Sequence, residues 1–210
     1  TISATVTPAA NAAGWHRSLV TVVFTCQDAG SGIATCPAPQ TLSTEGMNQV
    51  VTGTATDQAG NRASASVSLN LDRTPPTLQA VLTPGANGAG WNAQPVTVSF
   101  VASDAVSGVA STTPQTPVTT EGANQTFPGT ATDIAGNQAT TTATVNLDLT
   151  NPLIAMTTPA VGALVRTATV EVSGSVSDAV SGVAAVTCNG VPGTVSGGSF
   201  QCSVPVEPGR

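Results

Sequence analysis

The segment ATDQAGNRAS, Ala55 to Ser64, returns 76 residues later as ATDIAGNQAT, Ala131 to Thr140. Sliding the whole chain by that distance aligns residues 1–76 with 77–152 without a gap, and close to half of the aligned positions are identical. Trp15 falls on Trp91, Asp28 on Asp104, Glu45 on Glu121, Asp57 on Asp133 and Asp72 on Asp148. A gapless duplication of this length means one structural unit used twice, and it limits the fold before any residue-level argument begins. A third, diverged copy starts near Leu153 and is anchored by SDAVSGV at 177–183, matching SDAVSGV at 103–109. The first two copies run 44 residues from the loop Asp (Asp28, Asp104) to the closing Asp (Asp72, Asp148). Only 32 residues follow Asp178, and none of them reads ATDxAGN. The third copy is therefore expected to lack about two strands.

Within a copy the apolar pattern has period two. Val20, Val22, Phe24 and Cys26 alternate with Thr21, Val23, Thr25 and Gln27, and Val67, Leu69 and Leu71 alternate with Ser66, Ser68 and Asn70. Alternation with β-branched residues is the pattern of a half-buried strand, and Gly, Pro, Asn and Asp interrupt it at turn-like intervals. No segment has a helical period. The apolar residues are mostly Ala and Val, with four Phe, two Trp and no Tyr, so each core must be thin. A unit of about 75 residues built from some seven short strands reads as a small β-sandwich.

The motifs GWxxxxVTVxF, DxxSGxA, TEGxNQ, GTATDxAGNxA and DxTxP resemble the tandem bacterial immunoglobulin-like repeats of large secreted and surface proteins. The resemblance covers both full copies. The segment VTCNGVPGTVSGGSFQCSVPVEPG resembles a different bacterial Ig-like subtype. The expectation is an all-β chain of tandem Ig-like β-sandwiches in an extended array. Its modules are residues 1–74, 75–150 and a truncated third at 151–210. Their neighbours in the array, or subunits of the same protein, are the expected partners. The chain is read as a piece of a longer array; a strand donated by another copy, such as TISATVTP, is the rival way to complete the third module. The junctions DRTPPT and DLTNPL are short and contain proline, which fixes φ and stiffens a joint.

Charge excludes several functions. The net charge is −6, Lys is absent and the five Arg are scattered, so no basic face exists for nucleic acid. No apolar run is long enough to span a membrane. His16, the only histidine, becomes Asn92 in the second copy and has no Ser or Cys partner. Glu45 and Glu121 lie in separate copies and cannot form a glycosidase pair within one module. The chain is read as non-enzymatic.

Cys26 and Cys36 are replaced together, by Ala102 and Thr112, as expected of a bonded pair. Cys188 and Cys202 flank an Asn-Gly turn. We expect disulfides Cys26–Cys36 and Cys188–Cys202, and with them an oxidising, extracellular or cell-surface location. A four-Cys zinc site lacks the C-x2-C spacing.

The repeated TDxAGN has two readings. One is a hairpin turn, in which Gly and Asn accept left-handed backbone and Asp bonds the chain two residues on. The other is a cation site between modules. Glu45 and Asp72 would meet Asp104, Asp133 and Asn137 at the first joint, and Glu121 and Asp148 would meet Asp178 at the second. Converging carboxylates without Lys suit Ca²⁺, the candidate cofactor; none is required for the module to fold. The functional expectation is a structural stalk or filament segment of an adhesin or extracellular appendage, carrying a cell-surface or polysaccharide ligand elsewhere. The alternative is a carbohydrate-binding segment of a secreted polysaccharide-acting enzyme, in which an exposed Trp15 or Trp91 stacks on sugar.

Overall fold

In a computed structural model of the chain, residues 1–164 and 167–206 are described. They form strands and turns, with no helix among them. The first repeat supplies β1 (Ile2–Thr7), β2 (Trp15–His16), β3 (Val20–Cys26), β4 (Ile33–Thr35), β5 (Gln40–Leu42), β6 (Gly46–Asp57) and β7 (Arg62–Leu71). They make two sheets, β1-β3-β5 and β2-β7-β6-β4. The period-two pattern sets the inward face of each sheet. Val20, Val22 and Phe24 from β3 meet Val51 from β6 and Leu69 and Leu71 from β7 in one buried cluster. Ile2, Ala4, Val6 and Leu42 close its margin. Facing sheets with a shared side-chain layer make this unit a β-sandwich of the Ig type. The register is antiparallel from Ile2↔Cys26 to Thr7↔Thr21, while the short β2 runs parallel to β7 through Trp15↔Asn70 and His16↔Leu71.

Two sequence details have a local physical cause. A Cβ placed on Gly53 would lie 2.6 Å from the Phe24 ring, so the glycine of GTATD is the space the ring occupies. The same pairing recurs as Gly129 with Phe100 at 2.3 Å and as Gly174 with Phe200 at 2.7 Å. Near its start β6 bulges between Gly46 and Gln49, where Asn48 takes φ 53°. Asn70 Oδ1 accepts the Asn48 amide at 2.8 Å, and Asn70 Nδ2 donates to the Gly14 carbonyl at 3.1 Å. The repeated NQ (Asn48, Gln49) and NL (Asn70, Leu71) pairs thus belong to one hydrogen-bonded corner.

The second repeat has the matching elements β8 (Thr77–Thr83), β9 (Val96–Ser103), β10 (Val109–Thr112), β11 (Thr116–Val118), β12 (Gly122–Asp133) and β13 (Gln138–Leu147), in sheets β11-β9-β8 and β10-β12-β13. The third segment has β14 (Leu153–Thr158), β15 (Thr169–Ser177), β16 (Thr187–Cys188), β17 (Val191–Pro192), β18 (Thr194–Ser196) and β19 (Ser199–Pro205). Its main sheet is β14-β15-β19-β18, with a two-stranded ribbon β16-β17. Val176, Val186, Phe200, Cys202 and Val204 form its core. Among the described residues it has no counterpart of the β6–β7 hairpin, and Leu153, Ile154 and Met156 on β14 are exposed. Both expected disulfides are present, Cys26–Cys36 with Cα atoms 5.9 Å apart and Cys188–Cys202 at 6.1 Å.

The chain divides into two compact units. One contains Thr1–Val81, Val98–Thr116 and Phe127–Ala143; the other contains Leu82–Thr97, Pro117–Thr126 and Thr144–Arg210. The first unit holds the whole junction between the first and second repeats. The second unit holds the whole junction that follows Asp148.

Candidate functional site

The first junction is built on Asp72, the residue after β7. Its amide donates to the His16 carbonyl at 2.9 Å, which prolongs the β2–β7 pairing by one rung and fixes where the carboxylate points. Asp72 is completely buried. Its Oδ1 accepts the Thr74 amide at 3.0 Å, and its Oδ2 accepts the Ser107 amide at 3.0 Å. Ser107 belongs to the DAVSG loop of the second repeat, so one carboxylate joins two repeats.

The receiving surface is two acidic turns. Asp104 Oδ1 accepts the amides of Val106, Ser107 and Gly108 at 3.1, 2.9 and 2.7 Å. Asp133 Oδ1 accepts the Gly136 and Asn137 amides at 2.6 and 2.8 Å, and its Oδ2 accepts Asn137 Nδ2 at 2.8 Å. The second proton of that Asn137 amide group goes to the Asp72 carbonyl at 3.0 Å. Ser107 Oγ accepts the Ala135 amide at 3.3 Å and so ties the two turns together. Around this centre Asn11 Nδ2 donates to the Ile134 carbonyl at 2.8 Å, and Arg17 Nη1 to the Gly136 carbonyl at 3.3 Å. Both TDxAGN copies are therefore hairpin turns, and the second is also half of a joint.

Asp72, Asp104 and Asp133 each bring a carboxylate oxygen within 4.8 Å of the others. Asn137 adjoins them through its amide nitrogen, as a donor. Glu45 is used differently. It accepts the Arg73 amide at 2.9 Å and the Thr74 hydroxyl at 2.9 Å, with Arg73 Nε 3.8 Å away, so it braces the linker instead of entering the carboxylate group.

The second junction repeats part of this. Asp148 Oδ1 accepts the Thr150 amide and its Oδ2 the Ser181 amide, both at 3.0 Å. Asp178 Oδ1 accepts the Val180 and Gly182 amides at 3.1 and 2.8 Å. Glu121 accepts the Leu149 amide and the Thr150 hydroxyl, as Glu45 does at the first junction. The Asp148 carboxyl is held below its ordinary pKa of 3.8, chiefly by hydrogen bonding from Ser181, with burial opposing. Among the described residues the third segment has no turn equivalent to that of Asp133. A cavity of about 230 Å³ lies here, lined by Asn87, Trp91, Ala93, Asp148, Thr150 and Asp178 among others. Asn87 and Ala93 are the counterparts of Asn11 and Arg17, which grip that turn at the first junction.

The two tryptophans also differ. Trp15 is buried, as an end plug is, whereas Trp91 is half-buried at the cavity. His16 is buried, with no hydrogen-bond partner at Nδ1; desolvation pushes its pKa below 6.5, against the opposing pull of the Pro8 carbonyl. Sequence reasoning missed Ser107, Ser181, Asn11 and Arg17. The serines were visible as the invariant third letter after Asp in DAGSG, DAVSG and DAVSG, a signal read only as a loop.

No protein-family model and no curated protein matches the chain. Among solved structures it is similar to invasin, described as a bacterial integrin-binding protein. The sequences are 18% identical, the match covers 98% of this chain and 54% of that one, and the TM-score is 0.30. The chain thus spans about half the length of that structure's chain.

Proposed function

We propose that the chain is a non-enzymatic spacer, a stalk segment of a secreted or surface-displayed protein whose repeats are the modules 1–74, 75–150 and 151–210. The observation that carries this reading is the use of one joint twice. Asp72 and Asp148 each place Oδ2 3.0 Å from the amide of the serine in the next DAVSG loop. A buried, charge-assisted bond in a linker costs conformational freedom that a flexible tether would keep. Two disulfides, one in the first repeat and one in the third segment, support an oxidising location. The test is the distance distribution between spin labels on the exposed Val50 and Val101. A spacer gives one narrow distribution that broadens in Asp72→Ala; a broad distribution in the native chain defeats the reading.

Ca²⁺ is the cofactor such a joint would take, since three carboxylates within 4.8 Å are the donors a hard dication prefers. Five of their six oxygens already accept N–H groups, so a cation competes with a formed network. Titration calorimetry with Ca²⁺ decides this, and absence of both heat and a melting shift removes calcium from the joint.

The carbohydrate-binding alternative has one observation of its own, the half-buried Trp91 beside the cavity with Asn87, Thr150 and Asp178. Aromatic faces with nearby amide and carboxylate groups suit sugar stacking. Quenching of tryptophan fluorescence by oligosaccharides, abolished in Trp91→Ala, supports it; no quenching leaves the spacer alone.

A further inference from the structure

The receiving surface of the first joint exists a second time in the molecule, on the first repeat. Asp28, Ser31, Gly32, Asp57, Gly60 and Asn61 are the counterparts of Asp104, Ser107, Gly108, Asp133, Gly136 and Asn137. Their internal bonding is largely shared, although the bonds from the Ser107 amide to Asp104 and from the Gly136 amide to the Asp133 carboxylate have no counterparts here. Asp28 Oδ2 accepts the Gly30 and Gly32 amides at 3.1 and 2.8 Å. Asp57 accepts the Asn61 amide at Oδ1 and Asn61 Nδ2 at Oδ2, both at 2.8 Å. Ser31 Oγ accepts the Ala59 amide at 3.3 Å, as Ser107 does from Ala135. The two surfaces differ in what covers them. Ser107 and Asp133 are buried under Asp72, whereas Ser31 and Asn61 are exposed and Asp57 is half-buried. A cavity of about 130 Å³ opens there, lined by Asp28, Asp57, Asn61 and Arg62. Arg62 adds a positive charge where the second repeat has Gln138.

We propose that this turn face of the first repeat is a docking surface for another Ig-like repeat, one that presents an Asp-X-Thr corner of the kind formed by Asp72–Thr74. The incoming carboxylate takes the Ser31 amide, and its main-chain carbonyl takes Asn61 Nδ2, as Asp72 takes Ser107 and Asn137. A backbone amide preset toward a missing acceptor and a neutral amide group preset toward a missing carbonyl fix both the chemistry and the register of the partner. A second copy of this chain does not fit, because both of its Asp-X-Thr corners, at Asp72 and Asp148, are already engaged by Ser107 and Ser181. The inference rests on the joint geometry and stands whether or not the chain is a spacer.

The test extends the whole chain by repeating residues 1–76 ahead of Thr1, which restores the spacing that Pro76 has to Thr77. Amide hydrogen exchange is then read at Ser31, with Ser107 as internal reference. The expected result is exchange at Ser31 slowed at least about tenfold toward the Ser107 rate, and reversed by Asp72→Ala in the added copy alone. Unchanged exchange at Ser31 in the extended chain overturns the proposal. Slowing at Ser31 in the unextended chain as its concentration rises also overturns it, by making a second copy the occupant.

Discussion

Replacing Asp104 by Asn separates the two forces that meet at the first joint. With carboxylate oxygens within 4.8 Å, an effective dielectric near 20 puts each like-charge pair at about 3.5 kcal/mol. Asp104 faces two such neighbours, and its partial exposure lowers the total to roughly 3 kcal/mol. The substitution removes that repulsion. It also weakens the three main-chain bonds to Oδ1 from charge-assisted to neutral, by about 1 kcal/mol each, so these two effects cancel to first order. What remains is the new amide donor that Asn places beside the Asp72 and Asp133 carboxylates, worth roughly 1–3 kcal/mol. Asp104→Asn should therefore stabilise the protein in chelator by about that amount, read as a higher urea midpoint at unchanged slope. Adding millimolar Ca²⁺ should raise the wild-type midpoint and leave the variant unmoved if a cation sits in the joint. A variant destabilised in chelator by more than about 1 kcal/mol would refute the reasoning, because the amide cradle would then outweigh the repulsion.

Gly129→Ala should destabilise by roughly 1–3 kcal/mol through overpacking, since its Cβ would stand 2.3 Å from the Phe100 ring; Phe100→Leu should restore part of the loss in denaturant titration. Replacing Cys26 and Cys36 together by Ser should cost about 3 kcal/mol by freeing a 10-residue separation in the unfolded chain, measured against the wild type under oxidising and reducing conditions. The lowered pKa of Asp148 makes a contribution to stability that is present above pH 3.8 and is lost as pH falls through the folded-state value; urea midpoints from pH 5 to 2 should fall less steeply in Asp148→Asn.

The all-β architecture was legible because its cause is local. Period-two alternation in VTVVFTC and SVSLNL sets which face of each strand is apolar, and that choice needs no knowledge of the partner sheet. The joint loss of Cys26 and Cys36 in the second copy made that disulfide readable for the same reason: it is a comparison of the chain with itself. The joint was only half legible. Asp72, Asp104 and Asp133 could be named because charged residues are rare here and recur at fixed places. The division of labour among them depended on directions that a sequence does not carry. Whether Glu45 enters the carboxylate group or turns back to Arg73 and Thr74 is settled by where the linker backbone places their N–H and hydroxyl groups. That Ser107 donates through its main chain could not be read from its side chain at all. Likewise Trp15 and Trp91 occupy equivalent positions in the two repeats, yet one is buried and the other lines a cavity. The turn of Asp133–Asn137 bonds to Asn11 and Arg17 on either side of Trp15, and among the described residues no such turn meets their counterparts beside Trp91; hydrogen bonds act through the angle and distance of groups far apart in the chain.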